Sequence, residues 1–330
     1  MLTERLSRVS LAFLPTPLEE MSRLRAALGG GPRLLVKRDD QTGLATGGNK
    51  TRKLEFLVAE ALAQGADTLV TVGAIQSNHC RQTAAAAVKV GLRCALALRN
   101  EPLARDRWNG NLLLDELLGA QIHWSRASDY DAALNEVMSL VQAAGGRPYA
   151  IPVGGSIPLG AAGYAAAVEE LATQLAARGE RVDRIVFASS SGGTQAGLLV
   201  GVQALRLDMR VEGIYVDKVG GLRAKVLALA NDTAGLLDLP LRFAPADVIL
   251  HERYGEPGYA VVTEAEREAL RLFGQTEGLI LDPVYTGRAA AGLIDLVRRG
   301  AFDPAETVLF WHTGGVAGLF GKAAEVTGTD

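Results

Sequence analysis

The chain has 330 residues, with 34 Lys+Arg against 37 Asp+Glu and a formal charge of −3. At about 150 residues per domain this length suggests two domains, and the near-neutral balance, with no basic block, excludes the electrostatic footprint of a dedicated nucleic-acid binder. Two cysteines, Cys80 and Cys94, are too few for a disulfide framework, while glycine, 38 of 330 residues against an average of about 7%, asks where the backbone turns tightly or approaches a ligand.

Strand-like runs alternate with helix-like ones along the chain. The predicted strands are 68–72, 93–98, 121–124, 148–153, 184–190, 211–216 and 307–312. The predicted helices are 53–64, 82–90, 111–118, 130–144, 161–178, 194–207, 264–275 and 287–299. Short apolar runs separated by longer amphipathic segments make βαβ units and mostly parallel sheet. The strands fall into two groups, 68–153 and 184 onward, each large enough for its own sheet. Gly65, Gly91, Gly119 and Gly300 read as helix stops. The opening MLTERLSRVSLAF lacks the apolar run of a secretory signal. The longest uncharged stretch, 185–205, contains SSSGGTQ and is too polar to span a membrane. A cytoplasmic α/β protein is the expectation.

Open parallel sheets bind ligands beyond the carboxyl ends of their strands, so the loops after strands carry the search. Residues 73–82, GAIQSNHCRQ, place Ser77, Asn78 and His79 at a helix start, where free N–H groups suit a carboxylate. Residues 188–197, ASSSGGTQAG, combine hydroxyls with unhindered amides before a helix, which is what a phosphate requires. Residues 43–53, GLATGGNKTRK, put a glycine pair, Asn49 as a helix cap, and Lys50 before another helix. LDPVYTGR (281–288) and WHTGGVAGLFG (311–321) are weaker signals of the same type. GxxxxGK[ST], GxGxxG and GxSxG are all missing, which disfavours a P-loop enzyme, a nicotinamide dehydrogenase and an α/β-hydrolase. The four histidines and two cysteines show no metal-ligand spacing, so no metal is expected. Among the seven lysines, Lys50 and Lys53 lie beside the unusual glycine loop. A phosphate cup, no nucleotide motif and such a lysine together suggest pyridoxal phosphate, held by the loop and joined to the lysine as a Schiff base.

LPTPLE (14–19), VKRDD (36–40), GGNKTRKLEF (47–56), QSNHCRQ, SSSGGTQAG, DPVYTG and HTGG together resemble the fold-type II pyridoxal-phosphate enzymes. The likeness is to the branch that holds 1-aminocyclopropane-1-carboxylate deaminase and D-cysteine desulfhydrase, and it runs in order from near Leu14 to near Gly321. It implies two open twisted, mostly parallel sheets flanked by helices, similar to tryptophan synthase β. It also implies a large domain of residues 1–52 plus 154–330, with a small domain, 53–153, inserted between, and a homodimer. By the resemblance Lys50 is the Schiff-base lysine and Lys53 a neighbour. Ser77, Asn78 and His79 meet the substrate, with Asn78 also at the cofactor ring and Ser77 handling protons. Ser190, Ser191, Gly192, Gly193 and Thr194 hold the phosphate, and Tyr285 and Tyr259 are active-site tyrosines. Thr286 stands where the cyclopropane deaminases resemble DPVYEG, with a glutamate on the pyridine nitrogen, and Thr313 where they resemble HLGG. Both follow the desulfhydrase pattern. A neutral threonine makes a weaker electron sink than a carboxylate, which suits loss of a good leaving group. The resemblance therefore implies α,β-elimination from a small amino acid, D-cysteine first. L-Cysteate sulfo-lysis or another amino-acid β-elimination, cyclopropane deamination, and non-catalytic small-ligand binding in a two-lobed protein are the alternatives.

Overall fold

The computed structural model describes residues 1–99 and 102–328. Its strands are β1 (Leu18–Glu20), β2 (Arg33–Arg38), β3 (Thr68–Gly73), β4 (Arg93–Arg99), β5 (Gln121–Ser125), β6 (Pro148–Ile151), β7 (Arg184–Ser189), β8 (Arg210–Tyr215), β9 (Ile249–His251) and β10 (Thr307–His312). The helices are α1 (Ser22–Ala27), α2 (Lys50–Ala63), α3 (Asn78–Lys89), α4 (Gly110–Leu117), α5 (Tyr130–Ala143), α6 (Pro158–Arg178), α7 (Gly193–Ala204), α8 (Leu222–Leu236), α9 (Glu264–Glu277), α10 (Thr286–Arg298), α11 (Val316–Phe320) and α12 (Ala323–Thr327).

Two sheets result. The smaller has the order β5-β4-β3-β6 and is parallel throughout. The larger has the order β1-β2-β10-β7-β8-β9 and is parallel except for β1, which runs antiparallel to β2. Every residue of β3 and β10 is buried, as central strands with helices on both faces require. One face of the large sheet packs on α6, α7 and α8, through Tyr164, Leu198 and Val226. The other packs on α1, α9 and α10, through Leu24, Phe273 and Leu293. In the small sheet, α2 and α3 cover one face, and Ala84, Ala86 and Ala87 of α3 let that helix lie close; α5 covers the other. The four glycine stops all have positive φ, between 64° and 75°.

Some elements lie outside the sequence pattern. β1 and β9 are three residues each, too short to show alternation. Lys37, buried within β2, hides that strand; its ammonium is held by Thr16 O (2.7 Å) and Glu170. α1 is only six residues long, and α8 is rich in alanine with Leu236 exposed, so its two faces contrast little. Three helix starts also move. α6 begins at Pro158 rather than 161. α3 begins at Asn78 rather than 82, and α2 begins at Lys50 rather than 53, which puts the lysine on the helix instead of in the loop before it. Among the described residues no helix is long and apolar enough to cross a membrane.

Candidate active site

Three turns from strand to helix (β3 to α3, β7 to α7, β10 to α11) and the start of α2 open on one cavity. It is lined by residues of all four.

The turns are locked together from below. Asp39, fully buried, accepts from Arg52 Nε (2.9 Å) and Nη2 (2.8 Å), Tyr164 OH (2.6 Å), Trp311 Nε1 (2.8 Å) and Thr16 Oγ1 (2.9 Å). Burial alone would raise its carboxyl, but Arg52 overrides burial and holds it at about 2. This ties the first turn of α2, two residues past Lys50, to the end of β10. Above it the glycine loops interlock. Gly48 and Gly314 both have positive φ, and a Cβ on Gly314 would lie 2.7 Å from Gly48 Cα, so the backbones meet where no side chain fits. Asn49 does not cap α2, against the sequence expectation. Instead its N–H donates to Thr313 O (3.0 Å) and its amide reaches across to Thr194 Oγ1 (3.1 Å).

The turn into α7 is a cup without a built-in anion. Gly192 has φ +91° and, as the cap residue, offers α7 no side chain. Gly193 N donates to Ser156 Oγ (3.2 Å), which also meets Ser191 Oγ (2.7 Å). Lys53 Nζ donates to Gly154 O (3.1 Å) and Ser156 Oγ (3.3 Å). A Cβ on Gly193 would stand 2.9 Å from Lys53 Nζ, so the ammonium sits directly under the cup. Burial, with the positive charges of Lys50 and Lys225, pulls the Lys53 ammonium well below its ordinary range. Free helix amides, three hydroxyls and a buried cation with neutral acceptors fit a phosphate dianion. Lys53 is an i, i+3 neighbour of Lys50 and so shares its helix face; in the sequence it stood out only as a lysine beside the glycine loop. Ser156 had no such signal.

Of the expected residues, Lys50, Ser77, Asn78, His79, Ser190, Ser191, Gly192, Thr194, Tyr285 and Thr313 line the cavity. Burial draws the Lys50 ammonium down to about 8. Ser77 caps α3, its Oγ accepting from Cys80 N (3.2 Å). His79 Nε2 is engaged with Thr71 Oγ1 (2.9 Å), and burial, with Lys50 and Lys53 adding, keeps the ring neutral. Tyr259 reaches the cavity through Tyr285, their hydroxyls 2.6 Å apart. Burial raises both phenols, Tyr259 to about 12, so both keep their protons.

Two positions depart from expectation. Gly193 lies behind the cavity wall, its N–H spent on Ser156. Thr286 is fully buried and off the wall. Its hydroxyl donates to Asp282 Oδ1 (2.8 Å) and accepts from Asp282 N (2.9 Å), because Asp282 also takes the first amides of α10 and needs that bracing. Thr313 does line the wall, and its hydroxyl makes no hydrogen bond with any described residue. His312 shapes that turn by accepting from Gly314 N on Nδ1 (3.2 Å) while its Nε2 donates to Ile280 O (3.3 Å). The two cysteines are buried free thiols.

An α/β fold of two mostly parallel sheets, a phosphate cup and a desolvated lysine between them define a pyridoxal-phosphate enzyme of fold type II. The family model for pyridoxal-phosphate dependent enzymes matches residues 9–314, and the chain belongs to that family. Its relatives include the D-cysteine desulfhydrases of Salmonella newport (strain SL254) and Salmonella typhi. Each is 47% identical over 322 residues and covers 96% of both chains. A solved structure described as an ACC deaminase homologue superposes with a TM-score of 0.91 at 38% identity, covering 99% of this chain and 97% of its own. The T.th. threonine deaminase, at 22% identity and a TM-score of 0.62 over 91% of this chain and 92% of that one, shares the fold.

Proposed function

We propose that the chain converts D-cysteine and water to hydrogen sulfide, pyruvate and ammonia. The observation that carries this reading is the protonated Tyr285–Tyr259 pair, 2.6 Å apart, on the same cavity as a lysine whose ammonium titrates at about 8. An acid and a base sharing one site are what β-elimination needs. The 47% identity to D-cysteine desulfhydrases over nearly the full length supports the substrate.

Pyridoxal phosphate, when bound, supplies the electron sink that makes the amino acid's α-proton acidic. The chain's residues divide the remaining work. Lys53 Nζ, the Ser190 and Ser191 hydroxyls and the free amides at the start of α7 hold the phosphate. Lys50 Nζ would anchor the cofactor and is the amine placed to take the α-proton. Ser77 and the first turn of α3 receive the substrate carboxylate, with His79 as a neutral wall. Tyr285 OH gives its proton to the departing sulfur, and Tyr259 OH resupplies it. Of the two threonines only Thr313 has a hydroxyl to offer the cofactor ring, and a neutral partner there suits thiolate, which leaves readily.

We also propose that residues 1–52 and 154–330 form one domain around the six-stranded sheet and 53–153 a second around the four-stranded one. The boundary then falls in the first turn of α2. A cytoplasmic homodimer completes the reading; light scattering on the purified protein reads the stoichiometry. A panel of D-cysteine, L-cysteine, L-cysteate and 1-aminocyclopropane-1-carboxylate, scored as pyruvate or 2-oxobutyrate, tests the substrate. Sulfide and pyruvate from D-cysteine are expected; turnover confined to L-cysteate or the cyclopropane acid overturns the proposal.

A further inference from the structure

Asn78 can serve the cofactor only if its amide presents the right end, and the fold determines which end that is. Its Oδ1 accepts from Asn111 Nδ2 (2.9 Å), an atom that also donates to Gln76 O (3.1 Å). Asn111 Oδ1 in turn accepts from Arg81 Nε (2.9 Å). A guanidinium has donors only, so Arg81 leaves Asn111 one orientation: oxygen toward Arg81, NH2 toward Asn78. Asn111 cannot turn over without setting two donors against each other on one side and two acceptors on the other. Asn78 is thereby fixed with its own oxygen inward. Its NH2, which makes no hydrogen bond with any described residue, is left on the side that lines the cavity. Arg81 is buried, and its Nη1 donates to Gly47 O (3.0 Å) and Ala45 O. The same guanidinium thus braces the loop that leads into Lys50.

We propose that Asn111, oriented by Arg81, is a positioning residue that sets Asn78 as a hydrogen-bond donor toward the cofactor. This rests on the reading that Asn78 meets the cofactor ring. Asn111→Asp tests it, because the carboxylate still accepts from Arg81 Nε but has no hydrogen for Asn78 Oδ1. Asn78 then turns its NH2 to the new carboxylate and presents an acceptor to the cavity. The change is made in the wild-type chain and in an Asn78→Ala background. Each cofactor-free protein is titrated with pyridoxal phosphate and its near-visible band recorded.

In the wild-type background Asn111→Asp is expected to weaken cofactor affinity on the order of tenfold, the size of a lost hydrogen bond to a charged group, and to shift the band. In the Asn78→Ala background it is expected to do neither. Equal losses in both backgrounds, or no loss in either, overturn the proposal. Should Asn111→Asp not fold, Asn111→Ala in the same two backgrounds carries the test, with a smaller loss that again disappears without Asn78. The titration reads cofactor affinity and not D-cysteine turnover, so a wrong substrate assignment leaves its result intact. A wild-type chain that bound no pyridoxal phosphate would contradict the cofactor reading itself.

Discussion

The turns into α3 and α7 share one local plan, a buried parallel strand, a few small polar residues and a helix, yet they leave their helix starts in different states. In α3 the first turn is served by its own chain: Ser77 Oγ takes Cys80 N, and Asn78 is held by Asn111. In α7 glycine stands at the cap, Ser156 takes the first amide from another segment, the amides that follow are left open, and Lys53 is placed beneath them. A self-capped start is stable alone and presents a fixed set of donors, which suits a substrate that comes and goes. A start whose remaining amides stay open over a buried lysine is costly alone and favourable once an anion arrives, which suits a cofactor that stays.

That contrast can be broken at graded cost. The largest effect is expected at Lys50, on the cavity that both turns line. Lys50→Ala abolishes pyruvate formation and leaves no covalently attached cofactor after borohydride reduction, as read by intact mass; full activity in this variant defeats the assignment. Next is the pH dependence of Lys50 itself. Only the neutral amine attacks a carbonyl, and burial draws its ammonium down to about 8. The rate of covalent cofactor uptake by the cofactor-free chain therefore rises about tenfold per pH unit up to 8 and levels above it. A stopped-flow rate that is flat from pH 6 to 8 contradicts this.

Lys53→Met separates the two turns more directly. It removes the cation under α7 and leaves Gly154 O the Ser156 hydroxyl. Cofactor affinity is expected to fall by about tenfold to a hundredfold, while the cofactor-free chain melts within a few degrees of wild type. A collapse of the melting temperature with unchanged affinity would make Lys53 structural. Smallest is Ser77→Ala, which removes the α3 cap and costs about 1 kcal/mol in denaturant unfolding of the cofactor-free chain; no loss would mean that the cap is redundant.

The parts of the site that were legible in the sequence are those made by neighbours in the chain. Small polar and glycine-rich runs after apolar ones marked the turns, and position narrowed the seven lysines to Lys50 and Lys53, between which the resemblance chose Lys50. Thr286 and Thr313 show the limit. Both sit in suggestive motifs, yet Asp282 consumes one hydroxyl while the other is free, and this depends on how α10 is capped. Gly193 likewise reads as an open amide in the sequence, and Ser156, 37 residues away, takes it.

By itself the sequence determined the alternation of strand and helix, the two sheets and the three glycine turns, since propensity, periodicity and φ preference act over a few residues. The tertiary structure alone decided that the turns face one cavity, that Asp39 takes Trp311 from 272 residues away and so joins it to Arg52, and that Lys53 lies under the phosphate cup. It also decided that Arg81 fixes the orientation of Asn111 and Asn78. Hydrogen bonds and charges at such separations have no signature in local pattern; they exist only once burial has brought the partners together and made leaving any of them unpaired expensive.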